Sequence, residues 1–150
     1  MQKTGTVKLG GGSNSFALQN SSVEKKFSYS GGSDSDFINC RSGGFQDDAS
    51  FKLADGFNRL AFAFSEVLES LEVSGKNTAD EFAIDGSRVR GDVKLQLGSG
   101  NNRASVVHSS QIGDELTVTA GDGDDLVVVD PSVKVGRTSF RLGAGANTIP

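Results

Sequence analysis

Leu97–Val107 reads LGSGNNRASVV, Ala120–Asp130 reads AGDGDDLVVVD, and Leu142–Pro150 reads LGAGANTIP. In each, two glycines flank one variable residue, an Asn or Asp follows, and a short apolar run comes next. Working outward, the same residue type recurs at Asn14, Asp36, Asn58, Asp80, Asn102, Asp125 and Asn147, in steps of 22 residues with a single step of 23. An apolar column seven places earlier keeps step with it: Val7, Tyr29, Phe51, Val73, Leu95, Val118 and Phe140. So do Phe16, Ile38, Leu60, Phe82, Ala104, Val127 and Ile149, and then Leu18, Cys40, Phe62, Ile84, Val106 and Val129. A looser column runs Val23, Phe45, Val67, Val89 and Ile112, with Val133 one place early. The extra residue lies between Ala104 and Ile112, and Gln111 is its simplest position.

A fixed internal period signals a repeat architecture. Within each unit the first apolar cluster alternates, as in Val7/Leu9 and Leu95/Leu97, with polar residues such as Lys8, Lys52, Gln96 and Arg141 between or beside them. Alternation of this kind is a strand with one buried face. Three short strands and three corners use one period at a strand rise of about 3.3 Å. One coil cannot bury its inner face alone, but coils stacked about 4.8 Å apart complete one another. The predicted fold is all-β: a single-domain parallel β-solenoid over residues 1–150, with about seven coils, three short strands per coil and a right-handed path. At the same spacing it makes a rod roughly 30 Å long. Bulk alternates between layers, Leu9 and Leu53 against Gly31 and Gly75, and Gly5 and Ala49 against Phe27 and Leu71. Such exchange fills a narrow interior to native density. Arg59–Val73 (RLAFAFSEVLESLEV) also fits a helical period, but Leu60, Phe62, Val67 and Leu71 all stand on the 22-residue columns, so strands are expected there.

Composition agrees. Twenty glycines with two prolines and no tryptophan suit a β chain with many tight corners. The net charge of −4 argues against a nucleic-acid footprint. No apolar run approaches membrane-spanning length. The opening MQKTGTVKL lacks the pattern of a secretion signal. One cysteine, Cys40, cannot form an internal disulfide, and its inward column makes it a small buried apolar residue.

Glycine at the corners supplies positive φ and close approach of stacked backbones. Asn and Asp bond their own backbone in such turns, and stacked copies can form a side-chain ladder, the role expected of Asn14, Asp36, Asn58, Asp80, Asn102, Asp125 and Asn147. A metal reading stands beside it. Gly121, Gly123 and Asp125, with Val127 as buried anchor, resemble the glycine- and aspartate-rich nonapeptide of the RTX (hemolysin-type) β-roll proteins. That resemblance implies Ca²⁺ held by Asp122, Asp124 and Asp125, with backbone carbonyls and water completing the shell. It covers one unit; the flanking corners carry asparagine, and the nine-residue spacing is absent. Asp34 with Asp36, and Asp47 with Asp48, are weaker candidates. The chain as a whole resembles a parallel β-helix of the pectate-lyase-like or bacterial surface-protein type, a likeness of architecture that brings no catalytic residue with it.

Catalytic signals are sparse. His108 is the only histidine, with Ser109 and Ser110 beside it, and no G-x-S-x-G elbow exists. Asp47–Asp48 and Asp114–Glu115 read as solvated corners, and inter-strand connections too short to wall a cleft argue against glycoside hydrolysis. Lys8, Lys52 and Arg141 share one outward column, a face that resists sideways sheet pairing and can meet an acidic glycan. Threonine is too rare on outward columns for an ice-binding face. The expectation is a non-enzymatic spacer, surface or adhesin-type module of an exported bacterial protein, without cofactor or with one weak Ca²⁺ ion. A carbohydrate-active β-helix and a truncated or engineered scaffold are the alternatives. No capping helix or polar capping coil is evident at either end, so the chain is expected to be part of a longer solenoid or to associate end to end.

Overall fold

The computed structural model describes residues 4–150; the start of the segment read for a secretion signal, residues 1–3, lies outside the described residues. The described residues contain seventeen strands and no helix. The first turn comprises β1 (Gly5–Lys8), β2 (Asn14–Gln19) and β3 (Ser22–Val23). The second comprises β4 (Phe27–Ser30), β5 (Asp36–Arg41) and β6 (Gly44–Phe45). The third comprises β7 (Ala49–Ala54), β8 (Arg59–Ala63) and β9 (Glu66–Val67), and the fourth β10 (Leu71–Gly75), β11 (Glu81–Asp85) and β12 (Arg88–Val89). The fifth turn starts with β13 (Val93–Gln96) and β14 (Arg103–Val107), and β16 (Leu126–Val129) belongs to the sixth. Here the third strand of one turn fuses with the first of the next, giving the long β15 (Gln111–Thr119) and β17 (Lys134–Arg141). Arg59–Val73, the segment that also fits a helix, is β8, β9 and the start of β10.

Every strand pairs in parallel with its counterpart one turn away. Val7 sits opposite Tyr29, Tyr29 opposite Phe51, Val73 opposite Phe51 and Leu95, and Val118 opposite Leu95 and Phe140. The β2-β5-β8-β11-β14-β16 ladder forms one sheet, and the first- and third-strand ladders merge into another through β15. The chain is a parallel β-solenoid of about six complete turns. The seventh turn is only begun, by the end of β17, the Asn147 corner and one bridge from Leu126 to Thr148.

The core is the sum of the inward columns. Tyr29, Phe51, Val73, Leu95 and Val118 are fully buried, as are Ile38, Leu60 and Phe82, and Phe45, Val67 and Val89. At the N-terminal end the cavity is filled by aromatic rings, Phe16, Phe27, Tyr29, Phe45, Phe51 and Phe62, with neighbouring centroids 5.4–6.3 Å apart. Phe27 lies over Gly5, whose Cβ would come within 3.1 Å of the ring. This is the predicted exchange of bulk between layers.

Two details of register differ from expectation. Asp85 pairs with Val107 and Arg88 with Gln111, so the extra residue belongs to the corner His108–Ser110 and not to Gln111. His108 and Ser109 both take positive φ, 53° and 58°, where earlier turns spend a single left-handed residue, Asn20, Ser42, Phe64 or Gly86. The sixth turn keeps the wider corner, so the column continues from Ile112 to Val135, and Val133 is not its member. Polar corner residues carry no hydrophobic marker, which is why the apolar columns alone misplace both.

Candidate functional site

The glycine corner sits between the first- and second-strand ladders, where the backbone turns from β1, β4, β7, β10, β13 and β15 into β2, β5, β8, β11, β14 and β16. Stacked glycines approach one another without room for a side chain. A Cβ on Gly98 would lie 1.7 Å from the Lys76 carbonyl oxygen, and one on Gly123 2.3 Å from that of Gly100. Their φ values of 74° and 138° are in the region that favours glycine.

Behind this corner the predicted ladder runs the length of the molecule, with chemistry the sequence did not reveal. Each Oδ1 accepts a hydrogen bond from the backbone N–H of the ladder residue one turn earlier: Asp36 from Asn14 (3.2 Å), Asn58 from Asp36 (3.0 Å), Asp80 from Asn58 (2.9 Å) and Asn102 from Asp80 (2.9 Å). Asp125 then accepts from Asn102 (3.1 Å) and Asn147 from Asp125 (2.9 Å). The continuous rungs are therefore side chain to backbone, and at two steps an asparagine Nδ2 adds a bond to the next carboxylate, Asn14 to the Asp36 Oδ1 and Asn102 to the Asp125 Oδ1, both at 2.9 Å. The asparagine Nδ2 also donates to carbonyls of its own corner, Asn58 to Gly56 (2.7 Å) and Asn102 to Gly100 (2.8 Å). Asp36, Asp80 and Asp125 place an oxygen, Oδ2, where that donor would be, and each Oδ2 is buried without a hydrogen-bond partner.

A second regularity accompanies this difference. The residue five places before each asparagine is Leu9, Leu53, Leu97 or Leu142, whereas before each aspartate it is Gly31, Gly75 or Ala120. The geometry explains the two glycines. A Cβ on Gly31 would stand 1.8 Å from the Asp36 Oδ2, and one on Gly75 1.8 Å from the Asp80 Oδ2. The carboxylate occupies the space the side chain vacates.

Two further ladders were missed in the sequence. Ser65, Ser87 and Ser110 are buried at the corner after the second sheet. The Ser65 Oγ accepts from Gly43 N–H (3.1 Å), the Ser87 Oγ from Ser65 N–H (3.0 Å), and the Ser110 Oγ from Ser87 N–H (3.2 Å). At the third corner Ser70 N–H donates to Asp48, Asp92 N–H to Ser70, and Glu115 N–H to Asp92, at 3.2–3.3 Å. The signal was present, since these residues share the same spacing, but serine columns are easily lost in a serine-rich chain.

The calcium candidates separate in space and role. Asp125 is buried in the ladder; Asp124 is exposed, its Oδ1 accepting from Ala146 N–H (2.7 Å); Asp122 is exposed on the corner. Asp34 is exposed and accepts from Gly12 N–H (2.8 Å), while Asp36 points inward. The Asp47 Oδ1 accepts from Asp48 N–H (2.7 Å). Asp48 pairs with Lys26 at 2.8 Å, which holds its carboxyl below and the Lys26 ammonium above their ordinary values. Among the described residues no group of three or more His, Cys, Asp or Glu side chains is placed to hold a metal ion.

His108 lies exposed at the widened corner, its Nδ1 2.7 Å from the Asp85 Oδ1. The neighbouring serines serve the backbone: the Ser110 Oγ–H donates to the Val107 carbonyl, and Ser109 N–H donates to the Ser132 Oγ. Ser132 in turn donates to Asp130, holding that carboxyl below its ordinary value. Cys40 is buried, and burial pushes its thiol up to about 12. Lys8, Lys52 and Arg141 face outward as expected. A shallow groove of about 460 Å³ crosses the outer face of β4, β7 and β10, with Lys26, Lys52, Lys94, Asp48 and Glu72 on its walls.

No family model, no curated protein and no solved structure matches the chain.

Proposed function

We propose that this protein is a rigid, non-enzymatic rod, a spacer or surface module of an exported protein, whose task is to hold what lies at its ends at a fixed distance. The observation that supports this most is the unbroken Asn14-to-Asn147 ladder. It ties every turn to the next by hydrogen bonds from buried or half-buried backbone groups, alongside a core continuous over the same turns. Such a stack resists shear between layers, because sliding one turn breaks its rungs, its strand pairs and its apolar contacts together. Half-buried apolar side chains, Val7, Phe16 and Leu18 on the first turn and Phe140 and Leu142 on the last, continue the core to the outermost turns.

Single-molecule pulling from the two ends tests the proposal. The expected trace is a series of discrete steps, each releasing about 75 Å of contour for one turn of extended chain. Smooth extension at low force would overturn the reading of a stiff rod. A second reading, an acidic glycan lying along the Lys26–Lys52–Lys94 groove, is favoured by the three ammonium groups there. It predicts salt-sensitive retention on an immobilised polyuronate that is lost in a Lys52→Glu, Lys94→Glu variant.

A further inference from the structure

Asp80 is the member of the inner ladder with least to offset its charge. Its Oδ1 accepts from Asn58 N–H, but its Oδ2 is buried and unpartnered. That oxygen fills the space over Gly75, which the Leu97 carbonyl oxygen also borders, 3.2 Å from where a Gly75 Cβ would stand. The ladder residues one turn away on either side, Asn58 and Asn102, are neutral. The charged side chains around this corner are engaged or directed outside: Lys76 with Asp55 (3.6 Å), Arg59 with Glu81 (3.3 Å), and exposed Arg103. Asp36 and Asp125 differ, because each Oδ1 accepts a second bond at 2.9 Å, from the Asn14 and Asn102 Nδ2 respectively. The buried Tyr29 hydroxyl also faces Asp36, and burial together with the Asp36 charge pushes that phenol up to about 12. In the turn of Asp80 the phenol's place in the column belongs to Val73.

We propose that Asp80 is a proton-operated latch: as a neutral acid it closes the ladder with its Oδ2–H turned to a neighbouring carbonyl, and as a carboxylate it leaves an unpaired charge inside the stack and loosens the turns around it. The device makes the middle of the rod tighter in acid and more prone to local opening at neutral and alkaline pH. Burial points the same way, raising the Asp80 carboxyl from 3.8 to about 6. A group whose folded-state value is raised stabilises fully below its unfolded value and loses that contribution as the pH climbs through the folded one.

The test compares the full chain with Asp80→Asn from pH 3.5 to 8 by chemical denaturation. A separation of roughly two units corresponds to about a 100-fold fall in the folding equilibrium constant of the wild type relative to the variant between pH 3.8 and pH 7. A ratio that stays constant with pH, or that rises, would overturn the latch. Should Asp80→Asn fail to fold, the ¹³Cγ resonance of Asp80 in the wild-type chain decides: a midpoint above about 5 supports the proposal and one below about 5 sinks it.

Discussion

Replacing Asn58 by alanine isolates what one rung contributes. Asn58 is fully buried, its Oδ1 accepts from the buried Asp36 N–H at 3.0 Å, and its Nδ2 donates to the Gly56 carbonyl at 2.7 Å. Truncation leaves the Asp36 N–H with no partner, and orphaning a buried donor costs about 1–3 kcal/mol. The Gly56 carbonyl loses its bond as well, a smaller penalty because under-satisfied carbonyls are better tolerated. Together these give about 3 kcal/mol, out of the 5–15 kcal/mol that is roughly the whole stability of a natural domain. For a chain of this size that corresponds to a fall in Tm of about 6–12 °C. Asn14→Ala is the internal control. Asn14 is half-buried, and its Nδ2 reaches the Gly10 and Gly12 carbonyls and the Asp36 Oδ1 (2.9 Å), so its loss removes one bond to a carboxylate but orphans no buried backbone donor and is expected to cost about 1 kcal/mol. Urea unfolding of the three proteins, with equal m-values, measures the difference. If Asn58→Ala costs less than about 1 kcal/mol, or no more than Asn14→Ala, the ladder does not bind the turns as argued.

Other substitutions probe separate features. Gly98→Ala sets a Cβ 1.7 Å from the Lys76 carbonyl oxygen at a φ of 74°, so the stacked corners must separate; a loss of more than about 2 kcal/mol by thermal unfolding is expected. Phe62→Ala empties a fully buried site and is expected to cost about 3–5 kcal/mol, whereas Phe64→Asn, two residues along, is expected to change stability by under about 0.5 kcal/mol in a urea titration. Phe64 is 56% exposed and holds a left-handed φ of 49° that Asn20 adopts in the same column. Ser87→Ala removes the acceptor of the buried Ser65 N–H and is expected to lower stability by about 1–2 kcal/mol, with faster exchange of the Ser65 amide by NMR. Millimolar Ca²⁺ is expected to leave the melting temperature unchanged, since the ladder Oδ1 of Asp125 and the Oδ1 of Asp124 already serve backbone donors; a rise abolished by Asp122→Asn would reinstate the metal reading.

The architecture was legible because a solenoid writes its contacts into the sequence at constant separation. Phe51 and Val73 are neighbours in space because they are one period apart, and no long-range pairing had to be guessed. What stayed hidden depends on direction and not on spacing. That asparagine Oδ1 meets a backbone N–H while its Nδ2 turns to the Gly56 carbonyl is a matter of rotamer and corner geometry. The inserted residue was misplaced at Gln111 because only backbone pairing and the buried Ser87–Ser110 contact distinguish it from the true corner. Asp122, Asp124 and Asp125, adjacent in the chain, go three different ways once the corner turns.

The coupling of Asn with Leu and of Asp with Gly or Ala sets a rule for how such a rod changes length. An Asn turn duplicated alone would lay leucine upon leucine and crowd that layer, and an Asp turn duplicated alone would lay carboxylate upon carboxylate in the buried ladder. Duplicating 44 residues preserves both fits, so extension or contraction by even numbers of coils is the path that keeps every layer matched to its neighbours.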